Sequence, residues 1–284
     1  MTKVKMKNSK TLLMGLISLS LITFSCRNDD ETDESSVDQA IISSEDDALA
    51  DAEYASIFEF VDDEATEEEA FSAGRTTENS ENIPECAEVV KDTVNRTLTI
   101  DFGDTGCECN DGVVRSGKII AAFQGEYREP GSSVSVTLEK YTADEHTFSG
   151  TKSVTNMREE DGHFKYTITV EDASIEGPDG IFSWESSHTV ERIEGNDTRR
   201  PYDDVYQVTG QSSGVNRKGI AFEKEIESPL IKDRKVRCLS NFISGIVTLT
   251  NNDGGVVSID YGDGTCDRVA TLTINDETRE IFLR

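Results

Sequence analysis

The pattern G-Q-S-S-G at positions 210–214 is the stretch that most resembles catalytic machinery, because it fits the G-x-S-x-G nucleophile elbow of serine hydrolases. An elbow of that kind needs a strand leading into a helix and a histidine later in the chain. Here both flanks alternate like strands and no histidine follows His188. We therefore interpret the pattern as a hairpin.

Other catalytic signatures are missing from the sequence. The chain has three histidines, without an H-E-x-x-H pair, and it has no phosphate-binding glycine loop. Paired carboxylates serve glycosidases, but no pair stands out among 56 acidic residues. These observations predict a protein that is not an enzyme and that needs no cofactor.

Cysteines could ligate a metal or form disulfide bonds. Two similar segments, 97–107 and 256–266, each run from an alternating strand into a Gly-Asp turn and end at a cysteine, with another cysteine upstream. In an exported protein this parallel predicts the disulfides Cys86–Cys107 and Cys238–Cys266. Cys109 is an alternative partner for Cys86, since residues two apart on a strand share a face. A single C-x-C pair supplies only two of the four ligands that zinc usually needs.

The same two turns carry Asp101, Asp104, Asp260 and Asp263. Carboxylates on flexible loops suit calcium, so these four are candidate ligands. The EF-hand spacing is absent, however, and Asp-Gly sequences are common in hairpin turns for backbone reasons. We expect turns rather than a metal site here.

Cys26 offers a different chemistry, which is acylation of its thiol. Four lysines precede an uncharged, largely apolar run from 11 to 25 that is too short to span a bilayer comfortably, and Ser25 is a small residue before the cysteine. The stretch resembles the bacterial lipobox, in which the cysteine is lipidated and becomes the new N-terminus, although Thr23 and Phe24 depart from the usual pattern. Residues 1–25 are thus predicted to be a lipoprotein signal peptide, with a plain signal peptide as the alternative.

The charge distribution predicts an acidic stalk over residues 26–85. Residues 27–85 hold 21 acidic and two basic side chains, whereas the whole chain has a formal charge of −28. Such a segment buries too little apolar surface to offset its ordering entropy, so we expect it to be flexible. Apolar residues between 41 and 61 recur at helical spacing and predict a short helix, either transient, docked on the globular part or used as a partner motif. The overall negative charge argues against nucleic-acid binding.

From Cys86 onward the hydrophobic pattern has a period of two, with examples at 98–102, 134–138, 164–170, 182–184, 257–261 and 270–274. Turn sequences rich in glycine, asparagine and aspartate separate these runs. Residues 86–284 are therefore predicted to be an all-β domain built as an extended antiparallel meander, in the form of a sandwich, a half-open barrel or a curved sheet. Residues 236–284 could form a small C-terminal subdomain. The lone Trp184 is expected in the core.

Several motifs resemble those of uncharacterised flavobacterial outer-membrane lipoproteins. They are the I-D-F-G…G-C turn at 100–107, the N-D-G…R-S-G-K stretch at 110–118 and the I-D-Y-G-D-G-T-C-D strand-turn at 259–267. Residues 27–31 also resemble the acidic tag of surface-exposed lipoproteins of Bacteroidota, with a generic spacer as the alternative. The resemblance implies anchoring in the outer membrane and exposure at the cell surface, and it implies no activity.

Together these features predict a lipid-anchored envelope protein that acts as a non-catalytic surface binding or structural module, with an unknown protein, glycan or lipid as its ligand. The second hypothesis is a carrier that shelters a lipid or other apolar ligand in a curved sheet. An unrecognised hydrolase is the third. An apolar concave pocket would favour the carrier, a flat polar sheet the binding module, and clustered carboxylates in a cleft the enzyme.

Overall fold

A computed structural model describes residues 29–66, 83–155, 164–195, 203–234, 242–274 and 277–282, and it describes the helix side chains from 36 to 65. In these ranges one helix, α1 (Asp29–Thr66), precedes fourteen strands. The strands are β1 (Glu88–Asp92), β2 (Thr97–Asp101), β3 (Cys107–Glu108), β4 (Val114–Gln124), β5 (Ser133–Ala143), β6 (His146–Thr155), β7 (Lys165–Gly177), β8 (Gly180–Glu194), β9 (Val205–Val215), β10 (Ala221–Asp233), β11 (Ser244–Asn251), β12 (Val256–Asp263), β13 (Val269–Ile274) and β14 (Glu277–Phe282).

The strands form a single antiparallel sheet in sequential order, with the short β3 paired to β4 beside the main path. The described sheet is open, with β1 and β14 at its edges. This confirms the predicted all-β antiparallel meander and selects one open sheet over two packed sheets. Strands β11 to β14 continue the hydrogen bonding from β10, so residues 244–282 belong to the same sheet.

Register shifts bend this sheet. They occur in every adjoining pair from β4–β5 to β11–β12, for example between Val170 and Ala173 on β7 and between Glu225 and Leu230 on β10. An extra residue in one strand bends it and increases the local twist. Repeated bulges of this kind curve a sheet, and α1 packs against its inner face.

The helix crosses the strands instead of running along them. Ser36 packs on Gly255 in the β11–β12 turn, and near the other end of the helix Glu64 pairs with Lys91 of β1. The 28 residues between these contacts span about 42 Å of helix axis. Eleven neighbouring strands spaced about 4.8 Å apart span about 48 Å, so one helix reaches across most of the sheet.

Apolar contacts fix the helix along this path. Tyr54 stacks on Trp184 with ring centroids 5.6 Å apart and meets Phe148 edge-on at 6.3 Å. Further along, Phe60 packs against Phe102 at 5.7 Å. Ala50, Tyr54, Ile57, Phe60 and Val61 are part of the same hydrophobic core as the sheet. Trp184 is 1 % exposed, which confirms its predicted place in the core.

The expectation of a solvated stalk therefore does not hold for residues 36–65. The docked helix, one of the alternatives left open by the sequence, is the observed arrangement, and it is longer than the short helix predicted. The acidic composition predicts solvated side chains, whereas several of these carboxylates pair with cations of the sheet.

The predicted disulfide Cys86–Cys107 is present, with Cα atoms 5.7 Å apart. Cys109 is a buried free thiol, so the alternative pairing with Cys86 is wrong. Cys266 is disulfide-bonded, while Cys238, its predicted partner, lies outside the described residues. Cys26 also lies outside them, and its lipidation stays a prediction.

Candidate ligand-binding groove

Acidic side chains of α1 hold the helix to the sheet through ion pairs along its length. In chain order the pairs are Glu45 and Asp46 with Arg217, Asp47 with Lys224, Glu53 with Arg115, Asp62 with Arg128, and Glu64 with Lys91. Removing one partner of a buried pair leaves an uncompensated charge, so the buried pairs among them, above all Glu53 with Arg115, strongly specify where the helix lies.

Arg115 is the most enclosed of the cations, with 1 % of its surface exposed. Its guanidinium donates to Glu53 at 2.9 and 3.0 Å and to Asp111 at 2.9 and 2.8 Å. The Tyr141 hydroxyl donates to the same Glu53 carboxylate. Burial lowers the pKa of Arg115, but the hydrogen bonds to Asp111 and Glu53 raise it by more, so the group stays charged.

Asp47 forms a second buried cluster. Its carboxylate accepts hydrogen bonds from Trp184 Nε1 at 2.9 Å, from the Ser212 hydroxyl and from the Lys224 ammonium. Burial lowers the pKa of Lys224, but Asp47 and Asp51 raise it above its ordinary value. The cluster ties α1 to β8, β9 and β10 at once.

Beside these contacts, one flank of α1 and the concave face of β7–β12 enclose a groove of about 860 Å³. This volume is within the range of about 300–1,000 Å³ that is usual for ligand sites. The floor of the groove is apolar and comes from consecutive strands: Tyr166, Ile168, Val170, Val190, Val208, Ile226, Leu230, Val247, Leu249, Val257 and Ile259.

The register explains why these side chains gather. Val190 pairs with Val208 across β8 and β9, Val208 pairs with Leu230 across β9 and β10, and Val247 pairs with Ile259 across β11 and β12. Paired residues point to the same face, so apolar rows continue from strand to strand. The opposite wall is the helix flank, where Ala48, Ala52 and Ala55 are exposed and leave room because their side chains are short.

Lys152 of β6 also lines the groove, although it is only 4 % exposed. Its ammonium donates to the Tyr54 carbonyl at 2.7 Å and lies 5.3 Å from the centroid of the Phe58 ring. Burial lowers the pKa of Lys152 to about 8, and Asp51 and Glu59 only partly oppose this. Burial likewise lowers the pKa of His188, which lines the groove from β8 and pairs with Ile168 of β7.

A second basic region lies where β9 begins and β10 ends. Lys232 and Arg234 are two residues apart on the inner face, and the Arg234 guanidinium lies 5.7 Å from the centroid of the Tyr206 ring. Burial lowers the pKa of Lys232, and the positive charge of Arg234 lowers it further while Glu59 opposes the shift. Burial and a hydrogen bond to Asp204 raise the pKa of Tyr206 to about 12, so it stays neutral.

The G-Q-S-S-G stretch lies inside β9, so it is neither an elbow nor the predicted hairpin, whose turn comes after Val215. The glycines allow β8 and β9 to approach closely. A Cβ atom at Gly210 would come within 2.1 Å of the Ser187 carbonyl oxygen, at a φ of +131°. The Ser212 hydroxyl in this stretch donates to Asp47.

Of the four aspartates considered for calcium, Asp101 ends β2, Asp260 and Asp263 lie in β12, and Asp104 lies in the loop before β3. Asp101, Asp260 and Asp263 each accept the backbone N–H two residues later, which is the usual turn role of aspartate. Asp101 also pairs with Lys118 at 2.8 Å, and Asp104 is exposed. Within the described ranges, no three His, Cys, Asp or Glu side chains come together as a metal site.

Sequence reasoning missed the groove cations, although a signal for them exists. Lys152, Lys224 and Lys232 each occupy an inward position of an alternating strand, where the neighbours two residues away are mostly apolar. A lysine on the apolar face is unusual because burial of an unpaired charge is costly.

Comparison with known proteins gives no match, whether with family models, curated proteins or solved structures. The resemblance to flavobacterial lipoproteins therefore stays a prediction. Among the described residues, no helix combines the length and the apolar character needed to cross a membrane.

Proposed function

We propose that the protein is a non-catalytic carrier that holds an apolar ligand in the groove between α1 and the sheet. The observation that carries the proposal is the cavity of about 860 Å³ with apolar side chains from β7 to β12 on its floor. A structural element would fill such a space with its own side chains, because protein interiors are normally close-packed. An apolar concave pocket is also the feature that distinguishes the carrier hypothesis from a flat polar binding module.

Two of the five carboxylates that line the groove are held in close ion pairs, and another two lie too far apart to act together as in a glycosidase. Asp47 and Asp62 are committed to Lys224 and Arg128, at 2.5 and 2.6 Å. Asp51 and Glu59 are eight residues apart on the helix, which separates them by about 12 Å along its axis. Glycosidases place their two carboxyl groups about 5–9.5 Å apart, so these two residues do not form such a pair.

The predicted acylation of Cys26 gives this carrier its location. The thiol lies three residues before Asp29, where α1 begins, so the lipid would attach close to the helix that forms one wall of the groove. In this proposal the lipid tethers the protein at the bacterial outer membrane and keeps the groove near a source of apolar ligands.

The test uses N-phenyl-1-naphthylamine, a neutral apolar dye whose fluorescence rises in an apolar site. The full chain carries Cys26→Ser, so that no acyl group of its own competes. We expect saturable binding that Ala55→Trp weakens at least tenfold, because Ala55 is exposed on the groove flank and an indole there fills the space.

The matched control is Asp38→Trp, an exposed position on the same helix that does not line the groove. This variant should bind the dye like the parent protein. Absence of saturable binding, or equal weakening by both tryptophans, would contradict the carrier function.

A further inference from the structure

The cations of the groove fall into two groups. Five lysine and arginine side chains line it within the described chain, and Arg128 and Lys224 are paired with helix carboxylates. The remaining three, Lys152, Lys232 and Arg234, form no ion pair with any described residue, although all face the same space.

These three are not ordinary surface cations. Lys152 is almost fully buried, and its ammonium has one hydrogen-bond partner in the described structure, the Tyr54 carbonyl. Lys232 and Arg234 are partly buried and lie close enough to repel each other. Holding desolvated like charges together is unfavourable unless an anion compensates them.

The carboxylates nearest to them do not fill this role. Glu59 interacts electrostatically with both Lys152 and Lys232, but it is exposed on the helix flank and forms no ion pair with either. The side chain of Asp51 is 50 % exposed and lies 4.0 Å from Lys224. Exposed carboxylates are well solvated, so they contribute little to the stability of buried cations.

We propose that the ligand is an amphiphile with an anionic head group, which Lys232 and Arg234 bind while the apolar part lies on the floor of the groove. This inference rests on the proposed carrier function and specifies the chemistry of its ligand. A fatty acid and a lysophosphatidate share this chemistry, since each has one long hydrocarbon chain and one anionic group, a carboxylate in the first and a phosphate in the second.

The positions of the basic and apolar residues suit such a ligand. Lys232 pairs with Tyr206 across β10 and β9, and Val208 follows two residues further along the inner face of β9. From there the apolar rows extend across β10 to β12 through Ile226, Val247 and Ile259. Lys152 lies deeper, on the β6–β7 side, and adds positive potential to the same space.

The experiment measures displacement of N-phenyl-1-naphthylamine from the full chain with Cys26→Ser by four single-chain amphiphiles. Palmitate and 1-palmitoyl-lysophosphatidate are anionic, hexadecanol is uncharged, and 1-palmitoyl-lysophosphatidylcholine is zwitterionic. All are kept below their aggregation thresholds. We expect at least one anionic compound to bind ten or more times tighter than both compounds without net charge, and the stronger of the two anions identifies the head group.

The variants assign this preference to the groove. Lys232→Met should weaken the anionic compound about tenfold and leave hexadecanol unchanged, while Lys232→Arg should retain the preference. The control is Lys218→Met, which removes an exposed positive charge from the turn between β9 and β10.

Two negative results separate the two proposals. Equal affinity for palmitate, lysophosphatidate and hexadecanol, or an unchanged preference in Lys232→Met, would overturn the anionic ligand while the carrier function stands. Failure of the dye and of all four amphiphiles to bind would refute the carrier function itself, and the present inference with it.

Discussion

Glu53→Gln tests whether buried ion pairs make the acidic helix an integral part of the fold. The change keeps the size of the side chain but removes the charge that faces Arg115, which is 1 % exposed. Loss of one partner from a buried pair typically costs about 3–5 kcal/mol. Because Asp111 still binds the guanidinium at 2.8–2.9 Å, we expect the lower end of this range, about 3 kcal/mol.

The assay is urea unfolding of the full chain with Cys26→Ser, followed by circular dichroism and by the fluorescence of Trp184. That residue is the only tryptophan, and its indole donates to Asp47 of α1, so its emission reports directly on helix docking. Both probes should shift to lower urea together.

The control for this variant is Glu45→Gln. It removes a carboxylate whose side chain is 58 % exposed and which pairs with Arg217 at the surface. Exposed pairs of this kind contribute about 0–1 kcal/mol, so little change is expected. A loss of less than about 1 kcal/mol in Glu53→Gln would refute the argument that the helix is held by buried charge.

Three further predictions concern the sheet and its groove. Lys152, whose pKa is lowered to about 8, binds fewer protons in the folded state than in the unfolded state above that pH. The free energy of unfolding, measured in urea, should therefore rise by roughly 2 kcal/mol between about pH 7.5 and 9.5 relative to Lys152→Met. Parallel pH profiles of the two proteins would contradict this. Cys86→Ser should cost about 3 kcal/mol by opening a disulfide that spans 21 residues, whereas Cys109→Ala should leave that bond intact in non-reducing peptide maps; a cost below about 1 kcal/mol in Cys86→Ser would count against a structural role. Gly210→Ala should lower the thermal midpoint far more than Gly131→Ala, because an added Cβ meets backbone at 2.1 Å in the first case and nothing within 4 Å in the second; similar midpoints would contradict the close approach of β8 and β9.

Local patterns predicted most of the sheet. Alternating runs such as 164–170 and 257–261 correspond to strands whose apolar side chains face inward. The turn around Gly254 connects β11 to β12, as its glycine and aspartate content indicates. These features depend on residues near each other in sequence, where period and turn chemistry are sufficient. The disulfide Cys86–Cys107 was predicted from the similarity of the two cysteine-containing segments 97–107 and 256–266.

The groove could not be predicted in this way because its walls are far apart in sequence. Asp47 and Lys224, which both line the groove, are 177 residues apart, and Glu53 and Arg115, which hold the helix wall in place, are 62 apart. Neither pair has a local signal, and without the pairing the acidic content of residues 27–85 resembles that of a disordered tail. The curvature of the sheet also arises from bulges, which the alternating pattern alone does not reveal.

Amide hydrogen exchange of residues 36–65 tests the central claim most directly, namely that this acidic segment is a packed wall of a ligand-binding groove. In the full chain with Cys26→Ser, the amides around Tyr54 and Ile57 should exchange at least a hundred times more slowly than in an unstructured peptide. Addition of N-phenyl-1-naphthylamine should slow them further. Exchange at unstructured rates, with or without the dye, would contradict the account.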